Sequence, residues 1–292
     1  MSVPKLARLA LLAKFVRLAI AALAIGGTAL SPVVAFPVGS PAGRAIFHSN
    51  YDTVTRNYFA AMTVQPSTPR KALLASAVVC IENNGLLAYL DMLTIHAMHD
   101  EQAGRVSITP PNLVMIAGGT GSPTFTTDRG YQADGTSNYL KSPVTMNSAS
   151  HYSVNSGTVG VWITASPTTG VALLGSNNNT NTAIFWSATN TSNRVNGSTS
   201  LNSTGGTHHH FTAVRVDSTT LNAYTDGSNQ TSGTSAADAS LPASTVFTVG
   251  AGRSGFGNAP TSVSYYGQAL TSTQVNALHS CLLPYLSAIG AQ

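Results

Sequence analysis

Charge is scarce in this chain: Asp, Glu, Lys and Arg make up 8% of its 292 residues, against about 25% in an average soluble domain. So thin a charged surface excludes a charge-driven disordered tail, a coiled coil and a strongly basic nucleic-acid binder. The formal net charge of +4 is local. Lys5, Arg8, Lys14 and Arg17 are four of the fourteen cations, which leaves ten to balance ten acids. The remainder has no field to attract phosphate, and no nucleic-acid partner is expected. Cysteine is nearly absent. Cys80 and Cys281 alone exclude a disulfide-dense scaffold and a multi-cysteine zinc module. Both lie in apolar helical patterns, so two buried thiols are expected, with pairing left open because sequence gives no distance.

Length allows about two domains' worth of structure, and composition changes twice along it. Residues 1–45 read as a basic, apolar arm. No acid occurs from Met1 to Ala35, four cations precede the run beginning Leu18-Ala19-Ile20, and Val33-Val34-Ala35 offers small residues to a signal peptidase. This is the grammar of an export signal. Gly26, Gly27 and Pro32 interrupt the run before it could comfortably span a bilayer, and an uncleaved anchoring arm is the equal alternative.

Residues 46–110 read as a small helical segment. A short helix is expected around Thr53 to Met62. A second begins at Thr68, which suits an N-cap, with Pro69 at the first helical position; Leu73, Leu74, Ala77, Val78 and Ile81 follow at helical spacing, and Asn84-Gly85 stops it. A third is expected from Leu86, with Leu86, Leu90, Leu93 and Ala97 on one face. His96 and His99 at its end are three residues apart rather than the four of a zinc-protease pair, and are read as bonding terminal carbonyls.

From about residue 111 to 292, Asn, Ser, Thr and Gly dominate and apolar residues alternate. Val159, Val161 and Ile163 oppose Gly160, Trp162 and Thr164; Ile184 and Trp186 oppose Phe185; Thr212, Val214 and Val216 oppose Phe211 and Ala213. Asp134-Gly135, Asn196-Gly197 and Asp226-Gly227 provide turn chemistry. Many short strands without intervening helices predict an all-β, antiparallel jelly-roll sandwich preceded by a short α-helical segment. One helix closes the chain, opened by the capping box Thr271 to Gln274, with Leu270 able to staple against Val275.

Tyr131-Gln132-Ala133-Asp134-Gly135-Thr136-Ser137-Asn138-Tyr139-Leu140, Gly160-Val161-Trp162-Ile163, the stretch from His208 through Phe211-Thr212-Ala213-Val214 to Asp226-Gly227, Phe247-Thr248-Val249-Gly250 and Tyr266-Gly267-Gln268-Ala269-Leu270-Thr271 occur in that order. Together they resemble the strands of laminin-G-like, concanavalin-A-like jelly rolls over about residues 121 to 292. The preface, with Ala97-Met98-His99-Asp100-Glu101-Gln102-Ala103 leading into Ser122-Pro123-Thr124-Phe125, is similar to bacteriophage and prophage proteins in which a short helical piece precedes the same sandwich. That resemblance implies a tail, fibre or capsid-surface component of a virion. Fold alone does not transmit function.

No catalytic, cofactor or metal site is expected. Concanavalin-like glycosidases need two close carboxyls, yet the only glutamates, Glu82 and Glu101, lie in the preface, and the sandwich holds just Asp128, Asp134, Asp217, Asp226 and Asp238. Asp134, Asp217 and Asp226 read as turn caps. Gly252-Arg253-Ser254-Gly255 misses the nucleophile elbow, and Gly250 to Gly255 matches a dinucleotide fingerprint with no helix after it. On a strand only two of His208, His209 and His210 share a face, so a metal reading is set aside, as is calcium in loops so poor in acids. Asn178-Asn179-Thr180 and Asn202-Ser203-Thr204 are chance acceptor triplets in an Asn- and Thr-rich segment.

The expectation is a non-enzymatic virion-surface protein that anchors to other virion proteins through its arm, assembles as a homo-oligomer and displays a lectin-like sandwich to a host-surface glycan. One alternative is a secreted or periplasmic lectin-like protein cleaved after Ala35; another is a glycoside hydrolase. Tyr265, Tyr266, Phe256 and Trp186 are the first residues to inspect for glycan contact, although core or edge packing is the expected role of each.

Overall fold

In the computed structural model, the described residues are 51–167, 171–177, 181–187, 189–205, 209–252 and 255–292. The N-terminal arm with its cations and Ala35, and also His208, Arg253, Ser254 and Asn178 to Thr180, lie outside them. Residues 51 to 292 form one compact unit.

Two helices come first, α1 (Thr53–Ala60) and α2 (Thr68–Asn83). Asp52 caps α1 by accepting from Thr55 N at 2.8 Å. Ser67, one residue before the expected Thr68, is the N-cap of α2, so Pro69 still falls in the first turn, where its missing N–H costs nothing. Asn84 ends α2, and Gly85 takes a φ of +66°.

The third expected helix is instead a 3₁₀ turn, Leu86–Ala88, followed by strand β1 (Leu90–Ile95). The reason is burial. Met92, Leu93 and Ile95 are fully buried, with Met92 in one core cluster and Leu93 and Ile95 in another. A strand covered on both faces shows a continuous apolar run that periodicity does not separate from a buried helix.

The sandwich follows as expected: all-β, with two antiparallel sheets. The first contains β1, β3 (Thr124–Thr126), β4 (Gly130–Gln132), β6 (Gly157–Ile163), β11 (His210–Arg215), β12 (Thr220–Thr225), β13 (Ser228–Thr234) and β17 (Thr261–Gly267). Its order is β13-β12-β11-β6-β17-β4-β3, with β1 also pairing β17. The second runs β10-β9-β8-β7-β14-β5-β2, comprising β2 (Ile116–Gly119), β5 (Asn138–Thr145), β7 (Val171–Ser176), β8 (Ala183–Ser187), β9 (Asn190–Arg194), β10 (Leu201–Thr204) and β14 (Val246–Val249). A small ribbon, β15 (Ala251–Gly252) with β16 (Gly255–Phe256), forms a two-stranded sheet of its own. The closing helix α3 (Ser272–Ala288) carries the capping box, with Thr271 N donating to Gln274 Oε1 at 2.8 Å.

Alternation sorts side chains into two cores. Val159, Val161, Ile163, Phe211 and Ala213 meet Leu140, Ile184, Trp186 and Phe247 between the sheets. Trp162, Val214, Tyr224 and Tyr265, on the other face of the eight-stranded sheet, pack against α1, α2 and α3. The central strands of that sheet, β6, β11 and β17, are therefore buried on both sides, whereas among the described residues no helix covers the outward face of the seven-stranded sheet. Cys80 of α2 and Cys281 of α3 are bonded, 201 residues apart in sequence. The two expected thiols are thus a disulfide, because α2 and α3 lie side by side on that sheet. Arg215, fully buried at one end of the sandwich, donates to the carbonyls of Val195 (2.5 Å), Ser235 (2.7 Å) and Asp217 (3.2 Å).

The turns behave according to their chemistry. Asp226 (φ +48°) and Gly227 (φ +79°) form a two-residue hairpin between β12 and β13, with Thr225 opposite Ser228. Asp134-Gly135 instead carries the chain from β4 in one sheet to β5 in the other.

Candidate functional site

The seam between α3 and the eight-stranded sheet holds a cluster of rings. Trp162 on β6 lies opposite His210 on β11 in the strand register, and His279 comes down from α3. The indole is near-parallel to both imidazoles, with centroids 4.9 Å from His210 (10°) and 4.8 Å from His279 (7°). The imidazoles are themselves within 11° of parallel, 5.3 Å apart, with Nδ1 to Nδ1 at 3.0 Å. Rings stacked face to face could not bring two nitrogens so close at that centroid separation. The pair therefore lies edge to edge, like one larger plate on one face of the indole.

One of the two Nδ1 atoms must carry a proton and the other a lone pair, which requires opposite tautomers. The chain of contacts runs deeper. His210 Nε2 meets the Tyr265 hydroxyl at 2.8 Å, and that hydroxyl meets Thr212 Oγ1 at 2.5 Å. Tyr265 fits because its register partner is Gly160, where any side chain would overlap the tyrosine ring. Replacing Gly160 by alanine should therefore overpack the seam and lower stability by about 1–3 kcal/mol, read as a lower denaturant midpoint with an unchanged slope.

Burial pushes the His210 imidazole down to about 3, with nearby His279 adding to the effect and Asp226 opposing it. His279 is also lowered by burial, again against Asp226. Both rings are thus neutral near neutral pH. Asp226 accepts from the backbone N–H groups of His209 (3.3 Å) and His210 (3.0 Å), as expected of a turn carboxylate. His209 donates Nδ1–H to Ile163 O at 3.0 Å. Beside the plate opens a cavity of about 360 Å³ lined by Trp162, His209, Asp226, His279, Leu283 and Gln292. The wall offers imidazole nitrogens, a carboxylate and an amide around an aromatic base: hydrogen-bonding groups of both kinds, with one formal side-chain charge.

The sequence singled out only part of this. His210 and Trp162 lie in quoted motifs, but His279, 69 residues from His210, sits inside an ordinary amphipathic helix with nothing local to mark it. Among the four residues selected for glycan contact, Tyr265, Tyr266 and Trp186 are buried. Phe256 alone is half-exposed. His96 and His99 do bond carbonyls, of Gly104 (2.7 Å) and Val64 (3.0 Å), but from a strand end and a loop rather than a helix end. No group of three His, Cys, Asp or Glu side chains among the described residues is arranged to hold a metal ion.

The sandwich carboxylates are separately occupied. Asp128 pairs with Arg70 at 2.5 Å, Asp134 Oδ1 accepts from the amides of Thr136, Ser137 and Asn138, Asp217 Oδ1 from those of Thr219 and Thr220, and Asp238 Oδ1 from Asn181. In the helical layer Asp52 and Glu82 influence each other's ionisation. There burial opposes ionisation of Asp52, but hydrogen bonds from Thr55 and Glu82 outweigh it, while burial and Asp52 together push Glu82 up. Asp52 is already committed to the cap of α1, where both of its carboxylate oxygens accept from Thr55.

No family model and no curated protein matches the chain. Solved structures to which it is similar include domain 4 of AbnA, a GH43 extracellular arabinanase from Geobacillus stearothermophilus, in complex with arabinotriose (16% identity, TM-score 0.38, 65% of this chain and 98% of that one). Another is a Trypanosoma rangeli sialidase (14% identity, TM-score 0.47), of which the match spans 39% against 73% of this chain. A third concerns botulinum neurotoxin type C, whose cell entry depends upon interaction with two ganglioside molecules (12% identity, TM-score 0.47, 68% of this chain and 53% of that one). At such identities and scores these likenesses carry no argument about ligand or chemistry.

Proposed function

We propose that the protein is a non-enzymatic, displayed lectin-like module that binds the hydroxyl groups of a neutral glycan in the cavity beside the Trp162–His210–His279 plate. The observation that carries the reading is the cavity wall. The His209 and His279 imidazoles on the wall offer ring nitrogens, burial holding His279 below its ordinary value, while Asp226 accepts, Gln292 both donates and accepts, and Trp162 gives an aromatic base. A concave site with a few convergent polar groups suits a small polar ligand. The separately occupied carboxylates support binding without hydrolysis.

Immobilised neutral oligosaccharides should retain the full chain, and His209→Ala with His279→Ala should weaken that retention about tenfold or more. Circular dichroism of the variant would confirm the fold. Absence of binding across the array, or retention unchanged in the variant, would overturn the cavity as the site. Release of reducing sugar from the same oligosaccharides would overturn the non-enzymatic reading.

The setting proposed first is the surface of a virion, with the arm attached to other virion proteins and copies of the chain assembled as a homo-oligomer. It rests on the order of arm, helices and sandwich. Mass spectrometry of purified particles should find the chain, and its absence from every band would end this reading. The disulfide favours a second setting, a secreted or periplasmic protein cleaved after Ala35, since such bonds persist in oxidising compartments. In that case the mature N-terminus is Phe36, as N-terminal sequencing would show.

A further inference from the structure

A second, separate site lies on the outward face of the seven-stranded sheet. There the β15–β16 ribbon folds back over β7. Gly252 rests directly on Gly175, where a Cβ on either would come within about 3 Å of the other backbone, and Thr248 Oγ1 ties the ribbon down by donating to Ala251 O at 2.7 Å. Between ribbon and sheet opens a cavity of about 150 Å³. Its aromatic walls are Tyr139 on β5 and Phe256 on the ribbon, with ring centroids 6.2 Å apart and planes tilted by 39°. Tyr139 lies over Gly118 of β2, where a side chain would overlap its ring. Asn177 completes the wall, its Oδ1 accepting from Val246 N at 2.9 Å.

The electrostatics of this face are one-sided. None of the seven strands carries Asp or Glu, while β5 carries Lys141 and β9 carries Arg194. Lys141 follows Tyr139 by two residues and so projects from the same outward face. It is half-buried and joins no salt bridge among the described residues. The acid nearest to it along the chain, Asp134, has its carboxylate turned onto the amides of residues 136 to 138. Lys141, half-buried on the same face as the aromatic ledge and in no salt bridge among the described residues, complements an anion attached to a ring with an apolar face.

We infer that this ledge binds an anionic sugar, a pyranose bearing one carboxylate or sulfate, with its C–H face against Tyr139 and Phe256 and its charge against Lys141. The site is on the opposite side of the sandwich from the imidazole cavity and does not depend on it.

The test uses the full chain and three probes: a galacturonate tetramer, the same tetramer after reduction of its carboxyl groups, and a 6-sulfated galactose tetramer. At least one charged probe should bind, about tenfold or more tighter than the reduced tetramer, and added salt should narrow that gap. Lys141→Gln should abolish the preference, and Tyr139→Ala should abolish binding, with Tyr139→Phe restoring it. The His209→Ala, His279→Ala variant should bind these probes as the parent does. Which charged probe binds distinguishes carboxylate from sulfate. Equal affinity for charged and reduced tetramers, an unaltered preference in Lys141→Gln, or no binding of either charged probe would overturn the inference, whatever the neutral array shows.

Discussion

Taking the protein from pH 7.5 to pH 5 should destabilise it by about 4 kcal/mol and lower its melting temperature by about 10 °C. Two fully buried imidazoles are responsible. His96, at the end of β1, donates Nδ1–H to Gly104 O at 2.7 Å, so its Nε2 accepts from the Ser264 hydroxyl at 2.8 Å. Burial pushes it down to about 4, against the pull of the Gly104 carbonyl. His210 is pushed down to about 3, chiefly by burial. The unfolded chain protonates both near pH 6.5. Between pH 6.5 and the folded values the unfolded state therefore binds more protons, and stability falls as pH falls.

Each imidazole costs about 2 kcal/mol by pH 5. For a unit of this size each kcal/mol moves the melting temperature by about 2–4 °C. The charged groups facing the His210–His279 pair do not reverse the sign. Asp226 favours protonation of both rings, yet both stay below the ordinary imidazole value. The exposed carboxylates are held low by hydrogen bonds, Asp134 by Ser137 and Thr136 and Asp217 by Thr219, so their stabilisation is lost only at lower pH, as they protonate. Calorimetry at pH 7.5, 6 and 5 checks the result, and a shift under about 2 °C across that range would contradict it.

Much of the architecture is legible in the chain, for a physical reason. A half-buried or two-faced strand between polar turns announces itself by alternation, as Val159, Val161 and Ile163 do against Trp162, and Asp226-Gly227 permits the positive φ angles its hairpin takes. The capping box of α3 is equally local. Contacts that depend on distance in space are not written this way. β1 looks helical because both of its faces are buried. Cys80 and Cys281 look like separate thiols because neither helix reveals its neighbour. The imidazole plate joins β11 to α3, and Tyr139, read as one more strand residue, becomes a ledge only because the ribbon folds back over its sheet.

Removing the bond between Cys80 and Cys281 should cost about 5 kcal/mol. The cross-link closes a loop of 201 residues, and in the chain-entropy account a loop of that length withholds about this much freedom from the unfolded state. The native side should change little. Leu74, Val78 and Ile81 of α2 and Leu278, Leu282 and Tyr285 of α3 stay buried on the same core with or without the sulfurs. The Cys80→Ser, Cys281→Ser double variant should therefore melt about 10–20 °C lower while keeping the near-ultraviolet signature of Trp162. Reduction of the parent should reproduce that shift, and thiol titration of the untreated, unfolded parent should find no free sulfhydryl. Two free thiols in the untreated protein, or a double variant as stable as the parent, would refute the cross-link as the clamp on α3. His279 lies two residues before Cys281 in the same helix, so acid and reductant act on neighbouring attachments of one element. Sites in contact or sharing a structural element do not add independently. The loss in the double variant at pH 5 should therefore differ from the sum of the two separate losses, by an amount that measures how far helix and imidazole plate hold each other in place.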